Sequence, residues 1–139
     1  MKTIHEKELE IIEDFAIYED WMDKYEYIID LGKDTPKIDE KFKTDDHLIV
    51  GCQSKVWVNA SMEEGKIRFT ADSDAIITRG IIGLLIRVLD NEKPEDIATA
   101  KLEFIATIGL KEHLSPNRSN GLENMVKQLK RYAILNVAH

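Results

Sequence analysis

The first third of the chain contains two stretches in which apolar residues recur every three or four positions. This spacing puts the apolar side chains on one face of a helix and predicts amphipathic α-helices over residues 4–16 and 20–31. Asp20 is suited to cap the second helix because its carboxylate can accept a free backbone N–H, and Gly32 is suited to end that helix in a left-handed conformation. The polar segment 33–46 that follows is predicted to be a surface loop.

The middle of the chain changes to a period of two. Apolar and polar residues alternate over 56–60 and again over 67–71, which is the pattern of β-strands with one buried face. Glu63-Glu64-Gly65 between the two runs predicts a hairpin turn. Leu48-Ile49-Val50 is expected to form a third, short strand, so that Cys52 would lie in a tight loop between two strands.

The most apolar helical pattern of the chain covers residues 75–89, and Asp72-Ser73-Asp74 precedes it as a predicted cap cluster. Gly80 and Gly83 lie inside this helix, where each glycine costs about 1 kcal/mol relative to alanine. Their presence predicts that the helix packs closely onto the sheet.

Two further helices are predicted towards the C-terminal end. A short one covers residues 94–100, and a longer amphipathic one starts at Leu122, after a polar segment over 117–121. Helices at both ends around a central hairpin predict an α+β fold, in which a small antiparallel sheet packs against helices. The length and the absence of a linker-like segment predict a single domain over residues 1–139.

The charge balance narrows the possible partners. The chain has 26 acidic and 19 basic residues and a formal net charge of −7, which argues against binding to nucleic acid or to an anionic membrane surface. No segment reaches the roughly 18 apolar residues of a membrane span. The first ten residues lack the apolar core of a signal peptide, so the expected location is the cytoplasm, where thiols stay reduced.

Cys52 is the only cysteine of the chain, and three uses are open to it. It could be a small buried apolar residue, as free cysteines often are. It could be the nucleophile of an independent hydrolase or transferase, with His47 or His113 as the base. It could also attack the persulfide of another protein, which needs a reachable loop and a docked donor but no second cysteine. The scattered histidines do not have the paired spacing of a metal site.

Four blocks of sequence carry a family resemblance. They are WMDKYEYIIDLG at 21–32, GCQSKVW at 51–57, DSDA at 72–75 and HLSPNRSNGL at 113–122. With these blocks in this order, the chain resembles the SufE family of sulfur-acceptor proteins nearly end to end. The GCQS-x-VW core is the most specific of the four.

The resemblance implies a fold shared with IscU-type scaffolds and a function in sulfur transfer. SufE-like proteins bind a pyridoxal-phosphate-dependent cysteine desulfurase of the SufS type, accept its persulfide sulfur by transpersulfuration and stimulate it. They pass the sulfur to iron–sulfur cluster assembly, typically through a SufB-containing scaffold complex. The acceptor of the family corresponds to Cys52. The pyridoxal phosphate belongs to the desulfurase, so no cofactor and no metal are expected on this chain.

Neighbours of Cys52 are expected to shape its loop, with ordinary turn formation as the alternative. They are Gly51, Gln53 and Ser54, where Gly51 would add backbone freedom. Lys55 and His47 are candidates for lowering the pKa of the thiol.

Two charged residues outside the loop are candidates for contact with the desulfurase. Arg118 could line the partner surface near the loop, or it could be a solvated residue at the start of a helix. A cation at that position is unfavourable, which favours a functional role. Asp74 could contact the partner, but it could also be a helix cap. Since a persulfide must be shielded and yet reach another active site, Cys52 is expected to be partly buried at rest and to swing out on docking.

Overall fold

The computed structural model describes residues 2–137, and within them the chain forms six α-helices and one β-hairpin. The elements in chain order are α1 (Ile4–Ile17), α2 (Trp21–Lys33), β1 (Val56–Glu63), β2 (Lys66–Ser73), α3 (Ile76–Leu89), α4 (Pro94–Thr99), α5 (Phe104–Thr107) and α6 (Pro116–Val137). The predicted α+β class is confirmed, whereas the single domain over residues 1–139 stays a prediction. Among the described residues, no helix combines the length and hydrophobicity needed to cross a membrane.

The hairpin follows the predicted pattern. β1 and β2 pair in antiparallel register from Val56 opposite Ser73 to Glu63 opposite Lys66. Glu64 and Gly65 connect the strands with φ values of 53° and 81°. Two positive φ values in a two-residue turn match the right-handed twist of the strands. The hairpin turn predicted from Glu63-Glu64-Gly65 is therefore confirmed.

The predicted third strand at residues 48–50 is wrong. A single antiparallel bridge joins Leu48 to Trp57, and the Ile49 N–H donates to the Val56 carbonyl at 2.9 Å. The chain then turns at Gly51, whose φ is +88°, so the pairing cannot continue. The preceding segment is not a plain surface loop either, because it contains two 3-10 turns over 40–42 and 45–47.

α3 occupies the centre of the molecule, with ten of its 14 residues buried. α3 contacts β2 of the sheet as predicted, but its glycines face α2 and the residue Thr35 that follows it. A Cβ on Gly80 would lie 2.2 Å from the Ile28 carbonyl oxygen, and one on Gly83 would lie 2.2 Å from Thr35 Oγ1. Gly32 lies within α2 and opposite Gly80, so it permits the helix crossing and does not end the helix.

The residues before α3 do not cap it. The N-cap position is Ala75, and no side chain caps the helix there. The Asp72 carboxylate pairs with Lys43 at 2.7 Å, and Asp74 Oδ1 accepts the Lys55 N–H at 3.0 Å. The predicted cap cluster is therefore wrong, since partners distant in sequence occupy both carboxylates.

α6 starts six residues earlier than the sequence pattern suggests. Pro116 is its first residue, a position where the missing proline N–H is not needed. Ser115 Oγ accepts the Arg118 N–H at 3.3 Å and satisfies a free donor of the first turn. The predicted polar segment 117–121 therefore forms the first turns of a helix, which lie against the Cys52 loop.

Candidate functional site

Cys52 lies half-buried in the segment that leads into β1. Its Sγ is 3.6 Å from the Gly121 carbonyl oxygen of α6, to which the thiol donates a weak hydrogen bond. A Cβ on Gly121 would lie 3.5 Å from the sulfur, so the helix backbone approaches the thiol at ordinary contact distance. The expectation of a partly buried cysteine agrees with this position.

The neighbours of Cys52 are also held by α6. Asn124 Nδ2 donates to the Gly51 carbonyl at 3.1 Å, and Asn117 Nδ2 donates to Gln53 Oε1 at 3.4 Å. The positive φ of Gly51 favours glycine, and a Cβ there would lie 2.2 Å from the Asn124 amide nitrogen. Gly51 is therefore required both by its own conformation and by the close approach of α6.

The other end of the loop is held by the last residue of β2 and by the segment that joins β2 to α3. Asp74 Oδ1 accepts the Lys55 N–H at 3.0 Å, and the Asp74 N–H donates to the Lys55 carbonyl at 3.2 Å. Ser73 Oγ donates to the same carbonyl at 2.7 Å. The loop is thus fixed where it enters β1, and the contacts at its tip come from α6.

A cavity of about 220 Å³ opens beside the thiol. Its polar lining includes side chains from the loop and from the start of α6, and its apolar lining comes from α3 and α6. These polar side chains are those of Gln53, Ser54, Ser115, Asn117 and Arg118. The cavity therefore combines Cys52 with three of the residues singled out in the sequence, namely Gln53, Ser54 and Arg118, whereas Asp74 does not line it.

Several residues of the site were not predicted. Thr78 of α3 and Ser115 and Asn117 at the start of α6 line the cavity, and Asn124 holds the loop. Asn117 lies within the fourth sequence block, so a signal for it existed. Asn124 lies outside every block, and its contact with Gly51 spans 73 residues.

The electrostatic setting keeps the thiol protonated. Burial raises the pKa of the Cys52 thiol above its ordinary value, because the interior disfavours the charged thiolate. The prediction that Lys55 or His47 lowers this pKa is therefore wrong, since no cation in the described part of the chain opposes the effect of burial. In the observed conformation Cys52 is a poor nucleophile, because the thiolate is the reactive form.

Neither histidine proposed as a base reaches the thiol. His47 Nδ1 lies 3.2 Å from Thr44 Oγ1, and the His113 ring stacks on Trp21 with centroids 3.9 Å apart. Neither residue lines the cavity beside Cys52. Within residues 2–137, no group of three or more His, Cys, Asp or Glu side chains is arranged to hold a metal ion; His139 lies outside the described residues.

Comparison with known proteins places this chain in a family. The family model described as "SufE: Fe-S metabolism associated domain" matches residues 9–133. An uncharacterized SufE-like protein of Rhizobium meliloti (strain 1021) is 35% identical over 126 residues, which cover 87% of this chain and 90% of that protein. One from Rhizobium etli is 37% identical over 134 residues, which cover 93% and 90%.

A plant protein and a solved structure extend the comparison. SufE-like protein 1 (chloroplastic/mitochondrial) of Arabidopsis thaliana is 36% identical over 126 residues, which are 90% of this chain but 34% of that protein. The solution structure of a hypothetical protein from Thermus thermophilus superposes with a TM-score of 0.79, covering 96% of this chain and 97% of the other, at 22% identity. The structural likeness supports the fold alone, whereas the family model and the curated relatives confirm the resemblance seen in the sequence blocks. The chain belongs to the SufE family, whose domain is associated with Fe–S metabolism.

Proposed function

We propose that this protein is a sulfur acceptor and carrier that works with a cysteine desulfurase of the SufS type. Cys52 takes the persulfide sulfur of that pyridoxal-phosphate enzyme and thereby stimulates its turnover. The sulfur then goes to iron–sulfur cluster assembly through a SufB-containing scaffold complex. The observation that carries the proposal is a sole cysteine on a surface loop, half-buried beside a cavity into which no described base or metal ligand faces.

The chemistry needs only one thiol from this chain. The Cys52 thiolate attacks the outer sulfur of the desulfurase persulfide, and a new S–S bond forms on Cys52. The old S–S bond breaks, and its electron pair leaves with the desulfurase thiolate. The proton released by Cys52 is balanced by the one that the desulfurase thiol regains. No oxidant is consumed, and the absence of a second cysteine prevents the persulfide from collapsing to an internal disulfide.

The resting conformation is suited to holding sulfur and not to accepting it. Burial raises the pKa of the Cys52 thiol, so the thiol is protonated and unreactive towards stray electrophiles. The adjacent cavity of about 220 Å³ has room for the added sulfur. Transfer therefore requires the loop to extend from α6 into the active site of the desulfurase, which removes the burial by this chain that raises the thiol pKa.

The surface around the loop has the features of a docking site. Val50 is 88% exposed directly before the loop, and Ile76 is 57% exposed at the start of α3. Among the described residues, the Arg118 guanidinium has no hydrogen-bond or ion-pair partner. Since a cation in the first turn of a helix is unfavourable, an acidic group on the desulfurase is the partner we expect for it. Asp74 is exposed beside the same loop and is proposed as a second contact.

Desulfurase turnover tests the proposal. Alanine release by a SufS-type desulfurase should rise severalfold when this protein is added, and the Cys52→Ser variant should give no rise. The variant should still bind the desulfurase, because the docking surface does not depend on the sulfur atom. Equal stimulation by Cys52→Ser would refute the acceptor role. Hydrolysis of a test ester or thioester without a partner, lost in Cys52→Ser, would favour the independent hydrolase instead.

A further inference from the structure

One face of α6 holds the tip of the Cys52 loop. Asn117, Gly121 and Asn124 are four and three residues apart, so they lie on the same side of the helix. Each contacts one residue of the segment 51–53, and the order is reversed. Asn124 binds the Gly51 carbonyl, the Gly121 carbonyl accepts from the thiol, and Asn117 binds the Gln53 side chain. We call these three residues of α6 the clasp.

The contacts of the clasp differ in strength. The Asn124 hydrogen bond is 3.1 Å long and ends on a backbone carbonyl, which moves only when the loop moves. The Asn117 bond is 3.4 Å long and ends on a flexible side chain. The thiol at 3.6 Å is a weak donor. Asn124 therefore supplies the main polar contact at the tip, and Asn117 a smaller one.

We propose that Asn124 is a positioning residue that keeps the Cys52 loop retracted, and that Asn117 assists it. This inference rests on the proposed function for its purpose. The equilibrium between the retracted and the extended loop, however, is a property of the free protein. A single neutral hydrogen bond shifts such an equilibrium by about fivefold. The clasp is therefore strong enough to favour the covered thiol and weak enough for a docked desulfurase to open.

Docking must work against the clasp. If a partner binds only the extended loop, its apparent affinity is its intrinsic affinity multiplied by the fraction of molecules whose loop is extended. Loss of the Asn124 contact raises this fraction before docking. A loosened clasp should therefore lower the concentration of this protein that gives half-maximal stimulation, and it should leave the maximal rate unchanged.

The chain provides a matched control for the key variant. Asn120 lies on the same helix and is exposed, and among the described residues its side chain has no hydrogen-bond partner. Asn124→Ala and Asn120→Ala gain the same helix propensity. Only Asn124→Ala removes a contact with the loop. Thermal melting of both variants shows whether either has changed the fold as a whole.

The first readout is the rate at which iodoacetamide alkylates Cys52 in the free protein. It is measured from about pH 6, where an ordinary thiol is protonated, to about pH 10, where it has titrated. We expect about a three- to tenfold increase for Asn124→Ala, a smaller one for Asn117→Ala, and none for Asn120→Ala. The midpoint of the pH profile should also move down towards that of an ordinary thiol in Asn124→Ala. Equal rates and midpoints for wild type, Asn124→Ala and Asn120→Ala would overturn the proposal.

The second readout separates the clasp from the proposed function. With a desulfurase that the wild-type protein stimulates, the concentration of Asn124→Ala that gives half-maximal stimulation should be lower than that of wild type by a factor of about three or more. An unchanged concentration would overturn the claim that docking opens the clasp. If wild type stimulates no desulfurase, the proposed function fails, while the alkylation rates of the free protein still decide whether the clasp exists.

Discussion

Two places in this molecule use a glycine to let another segment come close, and they differ in what lies opposite. At the crossing of α2 and α3, a Cβ on Gly80 would lie 2.2 Å from the backbone carbonyl of Ile28 in the core. At the loop, a Cβ on Gly51 would lie at the same 2.2 Å, but from the side-chain amide of Asn124. A backbone carbonyl within a packed helix cannot move away, whereas a side chain on the outside of α6 can.

The two glycines distinguish a tightly packed helix crossing from a loop that few contacts hold. The α2–α3 crossing is held by apolar burial on nearly all sides of α3, and such packing does not open locally. The loop tip is held by two amide contacts and a weak thiol contact. Segments with few buried contacts open at a lower free energy than the global unfolding. Cys52 lies in a segment of that second kind.

The largest effect is expected at the helix crossing. Gly80→Ala forces a methyl group into the Ile28 carbonyl, so the helices must separate despite the better helix propensity of alanine. We expect the free energy of unfolding to fall by about 2 kcal/mol or more. Urea or guanidinium unfolding measures it. The control is Gly65→Asn in the hairpin turn, where a Cβ has nothing within 4 Å and asparagine tolerates positive φ, so its change should stay within about 0.5 kcal/mol.

Gly51→Ala should have a smaller effect on stability and a larger one on the thiol. Its methyl group meets the Asn124 amide, and its φ of +88° is unfavourable for alanine. The loop can escape both penalties by extending, so the loss of unfolding free energy should not exceed about 1–2 kcal/mol. Alkylation of Cys52 should be faster than in wild type. A loss as large as that of Gly80→Ala, with no change in alkylation, would mean that the loop is as rigid as the core.

The smallest effect is expected from pH. Burial raises the pKa of Cys52 in the folded protein above its ordinary value of 9.0. Below that ordinary value the thiol is protonated in both states, and its contribution to stability is fully present. As the pH rises towards the folded pKa, the unfolded state loses its proton first and stability falls. The free energy of unfolding of wild type should therefore decrease more between pH 8 and pH 10 (roughly the titration range of a thiol) than that of Cys52→Ser. Parallel curves for the two proteins would show that Cys52 is not covered.

Local signals in the sequence were sufficient where neighbours along the chain decide the structure. The hairpin turn at Glu64 and Gly65 follows from the alternation on both sides of it, and Asp20 does cap α2 by accepting the Asp23 N–H. The start of α6 was missed because the residues 117–121 are polar and resemble a loop. Pro116 at the first helical position was the signal that marks this start.

Contacts between distant segments could not be predicted in this way. The position of Asp74 directly before a helical pattern is typical of a helix cap, yet Asp74 binds the backbone of Lys55, which lies 19 residues away. The close approach of Gly80 was predicted, but not that α2 is its neighbour. The family blocks singled out Cys52, while its burial and its contact with α6 depend on packing across 69 residues. Spacing along one chain carries no information about such pairs.

The intact mass of the protein shows whether Cys52 accepts sulfur. The protein is mixed with a SufS-type desulfurase and free cysteine, and its mass is measured before and after treatment with a reductant. The sulfur-acceptor account predicts a gain of one or more sulfur atoms that the reductant removes and that Cys52→Ser does not show. An unchanged mass of the wild-type protein, with a desulfurase that is turning over in the same mixture, would contradict it.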